Sequence, residues 1–135
     1  MFWIIIIIIL IVIIILAASS TPANSKLIER KTLDIKVSDY PNKIDFYVVG
    51  GNWSDYLYPI LNYTNQYDLV KLVPEPNNRF DQNAIKVECN GYLIGYVPAY
   101  FTAEVQDVLF KENIAYVSEI TKGSNISIKI VIGYK

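Results

Sequence analysis

The sequence predicts a mainly β fold with short helices, built as a small, strongly curved β-barrel and preceded by one N-terminal transmembrane helix. Three observations predict it. Short runs rich in β-branched and aromatic residues recur from Ile44 to Tyr134, separated by clusters of Gly, Pro, Asn and Asp. Asn90-Gly91 joins two alternating runs, the strongest short-range hairpin signal, because both turn positions must take positive φ. Finally, Phe2 to Ala18 contains no polar or charged residue.

With 135 residues, 53% of them hydrophobic, and a net charge of -1, the chain has room for one small domain. The apolar run over residues 2–18 sits near the roughly 17-residue minimum for a bilayer-crossing helix. No Lys or Arg precedes it, whereas Lys26, Arg30 and Lys31 follow closely, which favours an uncleaved single-pass anchor with the domain on the cytoplasmic side. A secretory signal cleaved near Ala17, Ala18, Ser19 and Ser20 is the competing reading, and a mispredicted start is a third. Residues 19–42 read as a linker, SSTPANSK and SDYPNK flanking a segment in which LDIKV alternates as a brief strand would. The domain proper then occupies residues 43–135.

IDFYVVGG gives a half-buried first strand at about 43–50, with a sharp exit at its two glycines. DYLYPILNY places Leu57, Ile60 and Leu61, with Tyr56, on a helical face. Pro59 has no amide to donate and suits only a first turn, so a short helix is expected. YDLVKLVPEP is the next strand, stopped by Pro74 and Pro76. NNRFDQN connects it to AIKVEC, where Ile85, Val87 and Cys89 face one way. YLIGYVP completes the hairpin, with Leu93, Ile94 and Val97 in the core and Gly95 marking a bulge or a close backbone approach. AYFTAEVQDVLFKEN spaces Phe101, Val105, Val108 and Leu109 as an amphipathic helix closing over the sheet. IAYVSEI and NISIKIVIGY, around the turn KGS, are the last strands.

The chemistry available is narrow. The chain has no histidine, and Cys89 stands alone, so neither a disulfide framework nor a Cys–His nucleophile can be assembled; Cys89 reads as a small buried hydrophobe. A Gly-rich phosphate loop and a nucleophile elbow are both missing. Glu75 and Asp81 make an acid–base pair only in the formal sense that both are carboxylates in one turn region, so the chain reads as non-enzymatic, with no cofactor and no metal. Asn-x-Ser/Thr sequons at Asn52, Asn62 and Asn125 would matter only in a glycosylating compartment. From Lys43 onward, eight basic residues face ten acidic ones, a net of −2, so no basic stripe supports a duplex-tracking groove. A pocket gripping one strand end needs fewer phosphate contacts.

The middle of the domain carries a more specific pattern. VVG at 48–50 is followed by L-x-x-E-P-N-N-x-aromatic-D-x-N-A-I-x-V from Leu72 and by N-G-x-x-I-G-Y-V-P from Asn90. This order resembles the HIRAN domain over roughly Asp45 to Leu109, with Glu75, Pro76, Asn77, Asn78, Phe80, Asp81, Asn83, Ala84, Ile85, Val87, Gly95 and Tyr96 at the family spacing. The resemblance implies an OB-like or SH3-like β-barrel that holds the 3′-hydroxyl end of single-stranded DNA. An acidic residue would receive the terminal hydroxyl, and aromatic rings would stack on the last bases.

Carried onto this sequence, the site comprises Asp81, Phe80, Asn78, Trp53, Asn52 and Tyr96. Asp81 would accept a hydrogen bond from the hydroxyl and repel a 3′-phosphate. Phe80 would stack on a base, a contact worth about 1–3 kcal/mol in single-strand binders. Asn78 would bond a sugar or base edge, and Trp53 would form a second aromatic wall. Asn52 and Ala99 stand where end-binding members carry basic residues, and Ser54 where they carry a second aromatic. Read structurally, Asp81 and Asn83 are also what a turn needs, and Phe80 is either a plug for the barrel end or a stacking platform. The alternative use of the domain is a membrane-anchored protein- or peptide-interaction module.

Overall fold

A computed structural model describes residues 37–50 and 53–135, together with Trp3, Ile6 and Ile7. Among the described residues no helix is long and apolar enough to cross a membrane; the anchor expected over residues 2–18 lies outside them, apart from those three positions. The brief strand expected in LDIKV also lies outside, except for Val37, which is buried and starts a helical turn closed by the Tyr40 amide on Val37 O at 3.1 Å.

The alternating runs form six strands: β1 (Asn42–Tyr47), β2 (Val70–Pro74), β3 (Ile85–Cys89), β4 (Tyr92–Tyr96), β5 (Asn113–Thr121) and β6 (Ser127–Tyr134). They pair antiparallel as two three-stranded sheets, in the orders β1-β6-β5 and β2-β3-β4. On β6, Ile128, Ile130 and Ile132 point inward and are fully buried. Each such side chain contributes roughly 1.5–3 kcal/mol of apolar burial. Lys129, between them on the outer face, pairs with Asp45 at 3.1 Å and Glu119 at 3.8 Å on the two neighbouring strands. Ile85, Val87 and Cys89 share the buried face of β3, as their alternation requires.

The expected closed barrel is not formed. The sheets meet at two single-residue bridges, Val49 with Tyr96 and Leu69 with Tyr116. At the first corner the chain changes sheets within one step. Val48 N donates to Ile128 O at 2.9 Å, the next amide donates to Tyr96 O at 2.9 Å, and Val49 O accepts from Tyr96 N at 2.6 Å. At the second, Tyr67 takes φ +72 and its amide reaches Val117 O at 2.7 Å. Each corner bends too sharply for a continuous ladder, so β1 stops at Tyr47 instead of running to residue 50.

Two glycines are required by geometry. Asn90 and Gly91 take φ +51 and +83, the doubly positive turn that the hairpin needs. Gly95, at φ +143, lies where the Val48–Val49 corner crosses β4. A Cβ there would collide with Val48 Cγ1 and sit 2.8 Å from Val49 O, and the β3–β4 register shifts alongside at Val87/Glu88.

Helix α1 (Trp53–Tyr63) lies against β4, and Pro59 sits in its interior rather than in its first turn. Pro59 withholds the amide that would bond Asp55 O, and Thr64 Oγ1, donating to Pro59 O at 3.2 Å, holds the C-terminal end. Its buried edge also differs from the expected one: Ile60 is 0% exposed and Tyr56 packs on the core, while Leu57 and Leu61 are 40% and 44% exposed. A short 3-10 turn (Ala99–Phe101) leads into α2 (Thr102–Leu109). There Val105 and Val108 are buried and Phe101 and Leu109 pack beside them, as the spacing predicts. Cys89 is a buried free thiol; burial, with the Asp68 carboxylate adding to it, pushes its pKa up to about 12.

Candidate functional site

Local hydrogen bonds wind the β2–β3 connection into a fixed loop. Pro74 and Pro76 remove two amides that would otherwise continue the ladder. At the base of the loop, Glu75 N donates to Ala84 O at 2.8 Å and Asn78 N donates to Glu75 O at 3.0 Å. Asn78 Oδ1 then accepts from the amides of both Phe80, at 2.9 Å, and Asp81, at 3.0 Å. Asp81 Oδ1 accepts from Asn83 N at 2.8 Å, and Ala84 N returns to Asp81 O at 3.1 Å. These are side-chain turns of the kind short Asn and Asp residues make with amides two and three positions on.

The loop forms one wall of a cleft of ≈ 750 Å³. Asn77, Asn78, Arg79, Phe80, Asp81 and Ala84 line that wall. Val49 and Gly50 from the β1 exit, Tyr56 from α1, and Tyr96, Val97 and Ala99 from the end of β4 and beyond line the other. Glu75 ties the two walls together: Tyr96 Oη donates to Glu75 Oε1 at 3.1 Å, and Asn78 Nδ2 donates to Glu75 Oε2 at 3.3 Å. Burial first, and the bond to the Glu75 carboxylate second, push the Tyr96 phenol up to about 12. Accepting at both oxygens, Glu75 braces the loop against β4.

Of the residues expected at the site, Asn78, Phe80, Asp81 and Tyr96 come together here. Phe80 is 98% exposed, so it plugs nothing; its ring stands free beside Asp81. Asn78 lines the cleft, but its carbonyl oxygen serves the loop's own amides. Trp53 is the first residue of α1, and Asn52 lies outside the described residues. Glu75, Tyr56 and Arg79 were not singled out as binding residues by sequence. Arg79 is legible as the neighbour of Phe80, but Tyr56 reaches the cleft only through the packing of α1 on β4. Among the described residues no group of three or more His, Cys, Asp or Glu is placed to hold a metal ion.

A family model described as HIRAN domain matches residues 42–133. Among solved structures, the crystal structure of the HIRAN domain of human HLTF is similar to this chain with a TM-score of 0.50 at 24% identity, covering 69% of this chain and 74% of that one. The likeness is one of fold. No curated protein matches the chain.

Proposed function

Because this chain belongs to the HIRAN domain family, a family of nucleic-acid-binding modules, we propose that its cleft holds the 3′-hydroxyl end of single-stranded DNA. The observation that carries this reading is the Phe80–Asp81 corner. A ring that is 98% exposed stands beside a carboxylate whose Oδ1 is fixed by the Asn83 amide, at the mouth of a cleft. An exposed ring costs hydration unless a flat partner covers it, and a base is such a partner. A carboxylate accepts from a hydroxyl and repels a phosphate, so one side chain suffices to tell a free end from a blocked one. The site binds rather than transforms: its second carboxylate, Glu75, is committed to Tyr96 and Asn78.

A second reading has its own observation. Leu57, Tyr58 and Leu61 on α1 are exposed, and Tyr63 stacks on Tyr92 at 4.6 Å with 7° between the rings, an apolar surface suited to a protein or peptide partner of a membrane-anchored module.

The deciding experiment uses the full chain in non-ionic detergent with 5′-labelled oligonucleotides ending in 3′-hydroxyl or 3′-phosphate. Selective binding of the hydroxyl end is expected. Asp81→Asn, which keeps an acceptor for the Asn83 amide, should narrow the gap between the two ends. Equal, negligible binding of both at low salt would leave only the protein-interaction reading.

A further inference from the structure

We propose that Arg79 binds the phosphodiester immediately 5′ of the terminal nucleotide, so that Arg79, Phe80 and Asp81 divide one nucleotide among them as phosphate, base and hydroxyl. This rests on the 3′-end reading above.

Among the described residues lining the cleft, Arg79 is the sole cation. Five of the other seven basic residues from Lys43 onward are held elsewhere. Lys86 pairs with Glu88 at 2.9 Å, Lys129 with Asp45 at 3.1 Å and Lys135 with Glu112 at 2.9 Å. Lys122 donates to Leu61 O at 3.0 Å, and Lys111 sits 4.8 Å from the centre of the Tyr134 ring. Lys43 and Lys71 are exposed on β1 and β2, outside the cleft lining. Arg79 is exposed and makes no ion pair among the described residues, although Glu75 and Asp81 share its loop.

Its backbone is nonetheless fixed. Asn78 Oδ1 holds the amides on the far side of Arg79, at Phe80 and Asp81, so the guanidinium projects from a rigid turn. A guanidinium presents a planar fork of donors that matches two phosphate oxygens and needs no change of protonation. Arg79 and Asp81 are two residues apart, a span of at most about 7 Å, on the scale of one nucleotide. The surrounding net charge of −2 makes longer backbone contacts unfavourable, so the cleft grips one linkage and no more.

A single neutralised phosphate has a salt signature. In single strands each neutralised phosphate lowers log K by about 0.7 per decade of salt, so affinity should fall about fivefold for a tenfold rise in salt. The test uses the full chain in non-ionic detergent and a 5′-labelled oligothymidylate with a 3′-hydroxyl, alongside the same strand carrying a neutral methylphosphonate at its last linkage. Wild type should bind the modified strand roughly tenfold more weakly. Arg79→Gln should show that same loss on the unmodified strand, no further loss on the modified one, and almost no salt dependence; Arg79→Lys should restore the salt dependence. Arg79→Gln binding as tightly as wild type, or losing a further tenfold on the methylphosphonate, overturns the proposal while leaving the 3′-end reading intact. Equal binding of 3′-hydroxyl and 3′-phosphate strands by wild type overturns both. An unchanged melting curve for Arg79→Gln separates lost contact from lost fold.

Discussion

Asn78→Ala tests whether the loop is organised by its own side chains before any ligand arrives. The substitution removes the acceptor shared by the Phe80 and Asp81 amides and the donor to Glu75 Oε2. Each such hydrogen bond contributes a net of about 0.5–1.5 kcal/mol, and the half-buried setting lets water recover part of it, so a loss of about 1–2 kcal/mol is expected. For a domain of this size that lowers the melting temperature by roughly 4–15 °C. The functional consequence follows from population: if the bound-like loop falls to a tenth of the molecules, affinity falls tenfold, even though Asn78 itself need touch no nucleotide. Asn78→Asp sharpens the test, because it keeps the acceptor for both amides but sets a second carboxylate against Glu75. It should retain amide protection while losing part of the stability. The assay is amide hydrogen exchange at Phe80 and Asp81, read with thermal melts. Unchanged exchange at those two amides in Asn78→Ala, with a melting temperature within about 2 °C of wild type, would refute the account of the loop.

Phe80→Ala removes a ring that is 98% exposed and should leave stability within about 0.5 kcal/mol, while weakening 3′-end binding by the roughly 1–3 kcal/mol of one stacked base; a large drop in melting temperature would show that the ring packs. Gly95→Ala forces a side chain against Val49 O at φ +143 and should cost about 2–5 kcal/mol by denaturant titration, opening the cleft at the Val49–Tyr96 corner; a loss below about 1 kcal/mol would contradict the close approach. Cys89 should resist alkylation in the native protein at pH 8–9 and react on unfolding. Its thiol and the Tyr96 phenol are both raised to about 12, so the folded state favours their protonated forms. The stability they contribute is complete below their ordinary values and is lost as pH rises from about 9 to 12. Cys89→Ala combined with Tyr96→Phe should flatten that part of the pH profile, and an unchanged profile would refute the assignment.

Much of the site's loop was legible because its bonds are local. Asx turns link residues two and three apart, so N-N-R-F-D-Q-N announces a wound loop, although which Asn does the winding was not evident. Sequence favoured Asp81 and Asn83, and the structure gives the larger share to Asn78. Strand alternation placed Ile85, Val87 and Cys89 inward for the same local reason, since side chains one residue apart leave opposite faces of a strand. The helix at 53–63 was harder. Leu57 and Leu61 satisfy a helical spacing as well as Tyr56 and Ile60 do, and only the position of β4 selects which edge is buried.

The sequence by itself determined the strand order along the chain, the Asn90-Gly91 hairpin, the loop carrying Phe80 and Asp81, and the family pattern, because each rests on backbone sterics or on bonds between near neighbours. The tertiary structure alone decided that the strands stop at two sheets rather than closing a barrel, since single-residue bridges at Val49 and Leu69 end the ladders. It also decided that Glu75 braces Tyr96 across the cleft, that Tyr56 forms part of the opposite wall, and that the Phe80 ring stands in solvent. These depend on where separated segments meet, which packing sets and local pattern does not encode.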